Sequence, residues 1–335
     1  MINPDLHLRD DLFEATEQKP TRDGFGLGTV EAGKADERVM VLCADLTEST
    51  RAEWFAKEFP KRYIEMGIGE QNMAATASGL ANYGKIPFIA SYAAFNPGRN
   101  YEIIRTTIAL TKLPVIVCGM HAGVSVGPDG ATHQMLEDIA LMRALPNMTV
   151  ISPCDSEEAR KATIAAAELG TPVYMRFARE KTPVMTTSET PFVIGKAQVF
   201  YRSQTSVAVD KKNVAIFATG PLVYNALLAA RTLEQEGIHV SVTNIHTIKP
   251  LDEETIIREA SAAGAVVTIE EHQLAGGMGS AIAELLAQKC PLPIEFVAVQ
   301  DRFGQSGTPA ELIEHYGLGV PHSIEAVRRV LKRKG

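Results

Sequence analysis

His121 and His133 bracket a glycine-rich stretch, Gly119 to Thr132, that also carries Ser125 and Asp129. Imidazole donates or accepts a proton near neutral pH, and glycine lets a backbone approach a ligand closely. The segment therefore has the composition of a site that reads hydroxyl groups and moves protons. It also fits a structural loop whose His133 merely begins a helix. A metal site on His121, Asp129 and His133 is a third reading, although the spacing matches no standard ligand set. Glu70, in Gly67-Ile-Gly-Glu-Gln-Asn-Met73, is either a first-turn carboxylate favoured by the helix dipole or a partly buried acid able to hand a proton to a bound heterocycle. Tyr92 and Phe95, three residues apart at a strand end, are either core aromatics or a stacking face for a flat ring. Arg22, Ser49, Arg176 and Arg179 lie near loop ends; with His121 they could form an anion pocket for a phosphate ester.

The elements that must position these groups alternate between strand and helix patterns, the mark of parallel α/β layers. Strands are expected at 39–43, 87–91, 114–118, 149–152 and 172–177, and helices at 71–81, 102–110 and 133–145. A further helix opens at Asp155, with Glu158 completing a capping box. Residues 181–198, rich in Thr and Pro, read as a linker between a domain over 21–180 and a second α/β domain over 199–335, with residues 1–20 as an N-terminal extension. In the second domain strands are expected at 214–218, 239–244, 265–270 and 294–299. Helices are expected at 224–236, 252–263, 279–289 and 323–332. Loops at the carboxyl ends of parallel strands are where such folds bind ligands. Gly24-Phe-Gly-Leu-Gly28 lacks the dinucleotide-binding spacing and no strand precedes it. Gly276-Gly-Met-Gly279 has better phosphate-cradle geometry, but reads first as a tight strand-to-helix turn. Glu271, His272 and His246 read as structural or surface residues.

At 335 residues, with 45% hydrophobic and 22% charged residues, the chain has enough apolar material for two cores and is no disordered polymer. A net charge of −7 argues against a general nucleic-acid binder and leaves room for a local basic pocket. Residues 1–20 have no apolar signal-peptide core, and no apolar run reaches membrane-spanning length. The four cysteines are widely spaced and form no CxxC, so neither a disulfide framework nor structural zinc is expected, and a reduced cytoplasm is the simplest location.

Five segments occur in the order seen in transketolases: Ala44-Asp-Leu-Thr-Glu-Ser49, Gly67-Ile-Gly-Glu70, the Tyr92/Phe95 segment, Gly127-Pro-Asp-Gly-Ala-Thr-His-Gln134 and Arg176-Phe-Ala-Arg179. From about Arg22 onward the chain resembles the pyrimidine-binding and C-terminal domains of that thiamine-diphosphate family. The resemblance implies that Glu70 shares a proton with the aminopyrimidine of thiamine diphosphate and that Tyr92 and Phe95 form its pocket. Gly98 and Arg99 stand where the family has a third aromatic. It also implies that Asp129 and His133 meet the donor sugar's hydroxyls, with His133 in the proton chemistry. Arg22, Ser49, His121 and Arg179 would then hold the sugar phosphate. The family's Gly-Asp-Gly segment, which holds the divalent metal (Mg²⁺ or similar) and the diphosphate, occurs nowhere in the 335 residues. The resemblance therefore implies a split enzyme. This chain would be the C-terminal subunit, a separate N-terminal subunit would hold the metal, and two copies of each would form a heterotetramer. The implied reaction moves a two-carbon ketol unit from a ketose phosphate to an aldose phosphate, in pentose-phosphate carbohydrate metabolism.

Two other readings stay open. The β subunit of another split thiamine-diphosphate enzyme, of the 2-oxo-acid dehydrogenase or 1-deoxyxylulose-5-phosphate synthase type, shares the layout. Substrates of the dehydrogenases lack the sugar hydroxyls and phosphate that the His121…Asp129…His133 loop would serve. A non-catalytic assembly partner would keep the fold with no use for Glu70, Asp129 and two histidines.

Overall fold

Short aliphatic and β-branched runs, each followed by a longer helical stretch, build parallel strands joined by crossover helices. The computed structural model, which describes residues 1–14, 16–203 and 212–334, contains two such units. The first comprises β1 (Gln18–Pro20), α1 (Thr21–Ala35), β2 (Val39–Cys43), α2 (Thr47–Thr50), α3 (Ala52–Glu58), β3 (Tyr63–Glu65), α4 (Glu70–Asn82) and β4 (Ile86–Tyr92). It continues through α5 (Tyr101–Ile103), β5 (Ile116–Met120), α6 (Asp138–Ala144), β6 (Thr149–Ile151), α7 (Ser156–Glu168), β7 (Val173–Arg176) and β8 (Lys181–Pro183). The second comprises β9 (Gln198–Arg202), β10 (Asn213–Ala218), α8 (Leu222–Gln235), β11 (His239–Asn244), β12 (Thr247–Lys249), α9 (Glu253–Ala263) and β13 (Val266–Gln273). It ends with α10 (Met278–Lys289), β14 (Ile294–Val299), α11 (Pro309–His315) and α12 (Val320–Arg333).

The first sheet has the order β12-β6-β7-β5-β4-β2-β3, parallel except for β12. The second has the order β14-β13-β10-β11-β9, parallel except for β9. β12 comes from the second half of the sequence yet pairs with β6 of the first sheet. One apolar core runs through both units, joining Leu42, Ile89, Val117 and Val150 to Phe217, Ile256 and Ile282. Fully buried strands covered on both faces are what parallel sheets require.

Three expectations need correction. The helix expected from His133 begins only at Asp138. Met135 instead bridges to Ala122, its carbonyl accepting from Gly123 N and that of Leu136 from Gln273 N. No strand is expected before the glycine-rich run near residue 24, yet β1 (Gln18–Pro20) precedes it, and the run is the interior of helix α1. Gly24 and Gly28 lie against the backbone of α7, where any Cβ would strike Ser156 or Arg160, so small residues here permit close helix contact. The capping box at Asp155 is half made. Asp155 accepts from Glu158 N at 2.8 Å, but the Glu158 carboxylate accepts from Cys154 N and from Asn244 Nδ2 of the second unit. Among the described residues all four cysteines are free, and no helix is long and apolar enough to cross a membrane.

Candidate active site

The carboxyl ends of β2, β4, β5 and β7 face one edge of the first sheet, and the chemistry-bearing residues leave from those ends. Glu70 is the first residue of α4, where the unpaired amides and dipole of a helix start favour a carboxylate. Its side chain is only 4% exposed. Among the described residues the one hydrogen bond to its carboxylate is long, from Ser91 Oγ at 3.4 Å. A nearly buried acid with so little satisfaction is an acceptor awaiting a donor. The backbone around it is braced by two buried asparagines that sequence reasoning did not single out. Asn100 Nδ2 donates to the Glu70 carbonyl and to Asn96 Oδ1, while Asn96 Nδ2 donates to the carbonyls of Ile89 and Cys118. The available signal was their i, i+4 spacing just after a strand end.

Tyr92 ends β4 and its ring lies nearly parallel to that of Phe95, 18° apart with centroids at 6.3 Å. Both histidines join this aromatic group edge-on. His121 lies 4.1 Å from Tyr92, and His133 lies 5.5 Å from Phe95 and 6.0 Å from Tyr92. His133 Nδ1 is hydrogen-bonded to Thr132 Oγ1 at 2.9 Å. At Gly98 a Cβ would collide with the Ala94 carbonyl, so this turn admits no side chain there.

Arg22, in the first turn of α1, donates from Nη1 to the Ser49 carbonyl at 2.7 Å and to His121 Nε2 at 2.9 Å. Ser49 thus meets Arg22 through its backbone rather than its hydroxyl. Because the guanidinium donates, His121 accepts at Nε2 and carries its proton on Nδ1, which is buried and unpartnered; Arg22 Nε is likewise unpartnered. Burial, then the charges of Arg22, Arg179 and Arg51, push His121 down to about 2, so the ring is neutral at any physiological pH. Burial and Arg51 also lower Arg22. Arg179 Nη1 donates to the Val126 carbonyl at 2.7 Å. Arg22, Arg51, Arg179 and Lys181 line an open cleft of ≈ 340 Å³ together with Asp23, Glu180, Pro128 and Pro309. Arg51, missed in the sequence, sits at φ +69° and is held by Asp23 at 2.7 Å. No motif marks it. Two unpartnered buried donors beside a crowd of cations suit a tetrahedral anion.

Asp129 is not brought to this group. It is exposed in the turn closed by Gly130 N donating to the Gly127 carbonyl, with no side-chain hydrogen bond among the described residues. Arg176 points into the protein instead. It pairs with the buried Asp138 at 2.9 Å and donates to the Glu271 carbonyl at 2.7 Å, while Tyr174 OH donates to the same Asp138 oxygen. The amides of Met278 and Gly279 donate to the Glu270 carboxylate and that of Gly276 to Ser280 Oγ, so this turn is filled from within. His246, Glu271 and His272 are all buried, not at the surface. Among the described residues no three His, Cys, Asp or Glu side chains gather as a metal site.

Comparison with known proteins agrees with this layout. Residues 17–185 match the pyrimidine binding domain of transketolase and residues 203–322 its C-terminal domain. A putative transketolase C-terminal section from Methanocaldococcus jannaschii is 40% identical over 319 residues, covering 94% of this chain and 98% of that protein. The 6-deoxy-6-sulfo-D-fructose transketolase subunit SqwH of a Clostridium species is 37% identical, covering 93% of this chain and 95% of that one. A solved split-gene transketolase, an inactive β4 tetramer, superposes with a TM-score of 0.86 at 42% identity, covering 94% of this chain and 99% of the other. Human transketolase is 32% identical, and there the match covers 96% of this chain but 50% of the human protein. The chain therefore belongs to the transketolase family, of which it carries the pyrimidine-binding and C-terminal domains.

Proposed function

We propose that the chain is the C-terminal subunit of a split transketolase, transferring a two-carbon ketol unit from a ketose phosphate to an aldose phosphate. The observation that carries this reading is one sheet edge holding both an under-bonded, nearly buried Glu70 and a cleft crowded with arginines. The residues fit thiamine diphosphate, since the Glu70 carboxylate has only the long bond from Ser91 Oγ and an aminopyrimidine offers a further donor. When bound, that cofactor supplies the electron sink for cleaving the ketose carbon chain. Glu70 holds and returns the proton at the pyrimidine ring, and Tyr92 and Phe95 give the ring its apolar walls. His133, beside Phe95, exchanges protons with the sugar hydroxyls, and Asp129 would reach them only from its exposed turn. Arg22 and Arg179 fix the phosphate, with His121 neutral and donating from Nδ1, and the Ser49 loop lies behind them. Arg51 and Lys181 add charge at the mouth. Mg²⁺ and the diphosphate fall to a separate N-terminal subunit, most simply in a heterotetramer of two copies of each chain. The resemblance to a split-gene transketolase and the exposure of Ile68 (86%) two residues before Glu70 support a partner at this edge. The four cysteines, free among the described residues, support a cytoplasmic setting.

A relative named for a sulfo-sugar and another, from Phocaeicola vulgatus, named as an apulose-4-phosphate transketolase subunit leave the tetrahedral anion as the shared chemistry. The cleft's cations favour a phosphate dianion over a sulfonate monoanion. The test is Glu70→Gln in the complex assembled with its N-terminal partner. Ketol transfer from a ketose phosphate should fall by roughly 10²–10⁴-fold. Undiminished transfer would overturn the role of Glu70. Pyruvate decarboxylation in place of ketol transfer by the unaltered complex would assign the chain to the 2-oxo-acid enzymes.

A further inference from the structure

The turn that carries Arg179's partner is held from the other domain. Gly123 (φ +93°) and Gly127 (φ +83°) bound a buried turn over Val124–Val126, whose last carbonyl accepts from Arg179 Nη1. Both glycines need the left-handed region that L side chains avoid. The floor of the turn is Glu271, from the end of β13 in the second unit. Its carboxylate accepts from Ser125 N at 2.5 Å and from Ser125 Oγ at 3.1 Å. It packs so near Gly123 that a Cβ there would overlap the carboxylate. Gln134 Nε2 ties the Val124 and Gly127 carbonyls to that of Gln305, and Pro309 lies against Gly127, both from the second unit. Glu271 is 3% exposed and touches no part of the cleft directly.

We propose that Glu271 is a positioning residue for the phosphate cleft. By fixing Ser125 it sets the Val126 carbonyl, and through it the direction of the Arg179 guanidinium. The C-terminal domain thus takes part in substrate selection, beyond assembly. This rests on the reading of the cleft as the site of the substrate's phosphate. A buried carboxylate meeting two donors of a single residue fixes that residue's position, and a guanidinium bound to a fixed carbonyl loses the rotamer freedom that would blur its aim.

The test is a double-mutant cycle on the assembled complex, comparing a pentulose 5-phosphate with the free pentulose as donor. Glu271→Ala should raise KM for the phosphorylated donor about tenfold and leave the free sugar nearly unchanged. In an Arg179→Ala background it should add almost nothing. Glu271→Gln should stay near wild type, since the amide can accept from Ser125 N and donate to Ser125 Oγ. If Glu271→Ala does not fold, Glu271→Asp, which withdraws the carboxylate by one methylene, takes its place in the cycle. Independent effects of Glu271 and Arg179, equal losses on both donors, or a Gln variant as impaired as the Ala variant would each overturn the inference. Wild-type complex indifferent to the phosphate would overturn the cleft reading, and this inference with it.

Discussion

Arg176 and Arg179 leave the same strand end three residues apart, and they meet opposite surroundings. Arg176 turns into the seam between the two units, where a buried carboxylate and a carbonyl accept from it and a tyrosine hydroxyl donates to that same carboxylate. Arg179 turns outward, spends one donor on a carbonyl and shares its cleft with Arg22, Arg51 and Lys181. Arginine content alone says nothing about function at either place. In the seam each charge is matched, and the network joins the two units; in the cleft positive charge is left over, which is what an incoming anion needs.

The largest expected effect lies in the seam. Arg176→Ala strands Asp138 and should cost about 3–5 kcal/mol of unfolding free energy in a denaturant titration. A fold that tolerates this change would erase the contrast. Arg179→Ala should instead leave unfolding within about 0.5 kcal/mol of wild type. In the assembled complex it should raise KM for a phosphorylated donor roughly 10–100-fold, the worth of a charge-assisted hydrogen bond. Loss of stability without loss of phosphate preference would reverse the assignment.

A smaller effect sharpens what the paired cation contributes. Glu158, buried beside Asp155 with no ion-pair partner among the described residues, is pushed up to about 7 by burial and then by the Asp155 charge. The folded state therefore holds this proton more tightly than the unfolded chain, whose glutamate titrates near 4.5. Its stabilising contribution is full below pH 4.5, falls as pH rises towards 7 and is gone above it. Glu158→Gln should flatten that decline by up to about 3 kcal/mol, read as unfolding free energy against pH. An unchanged slope would mean that Glu158 stays ionised in the fold.

The alternation of strands and helices was legible because buried parallel strands must be aliphatic and their crossover helices must follow. Helix α1 was not: no helix is expected over its four glycines, which only pairwise contact with α7 and α3 explains. The late start of α6 was hidden for a similar reason. The periodicity of Met135 and Leu136 is helical, but their carbonyls are claimed by Gly123 and Gln273, partners remote in sequence. At the site, Glu70, Tyr92, Phe95, His121, His133, Arg22 and Arg179 were legible because chemistry restricts their residue types. Arg51 escaped because nothing local distinguishes it, and Asn96 and Asn100 because an i, i+4 spacing after a strand end is a weak signal. Glu271 reads from sequence only as a structural or surface residue because its partner Ser125 lies in the other unit. The choice between Arg176 and Arg179 needed the buried Asp138, which no spacing announces.

The central claim is that this chain brings the pyrimidine and sugar-phosphate half of a shared site. Calorimetric titration of thiamine diphosphate with Mg²⁺ into the chain alone, then into the chain mixed with a transketolase N-terminal subunit, tests it most directly. No heat of binding alone and tight binding in the mixture is the predicted result. Tight, Mg²⁺-dependent binding by the chain alone would contradict it.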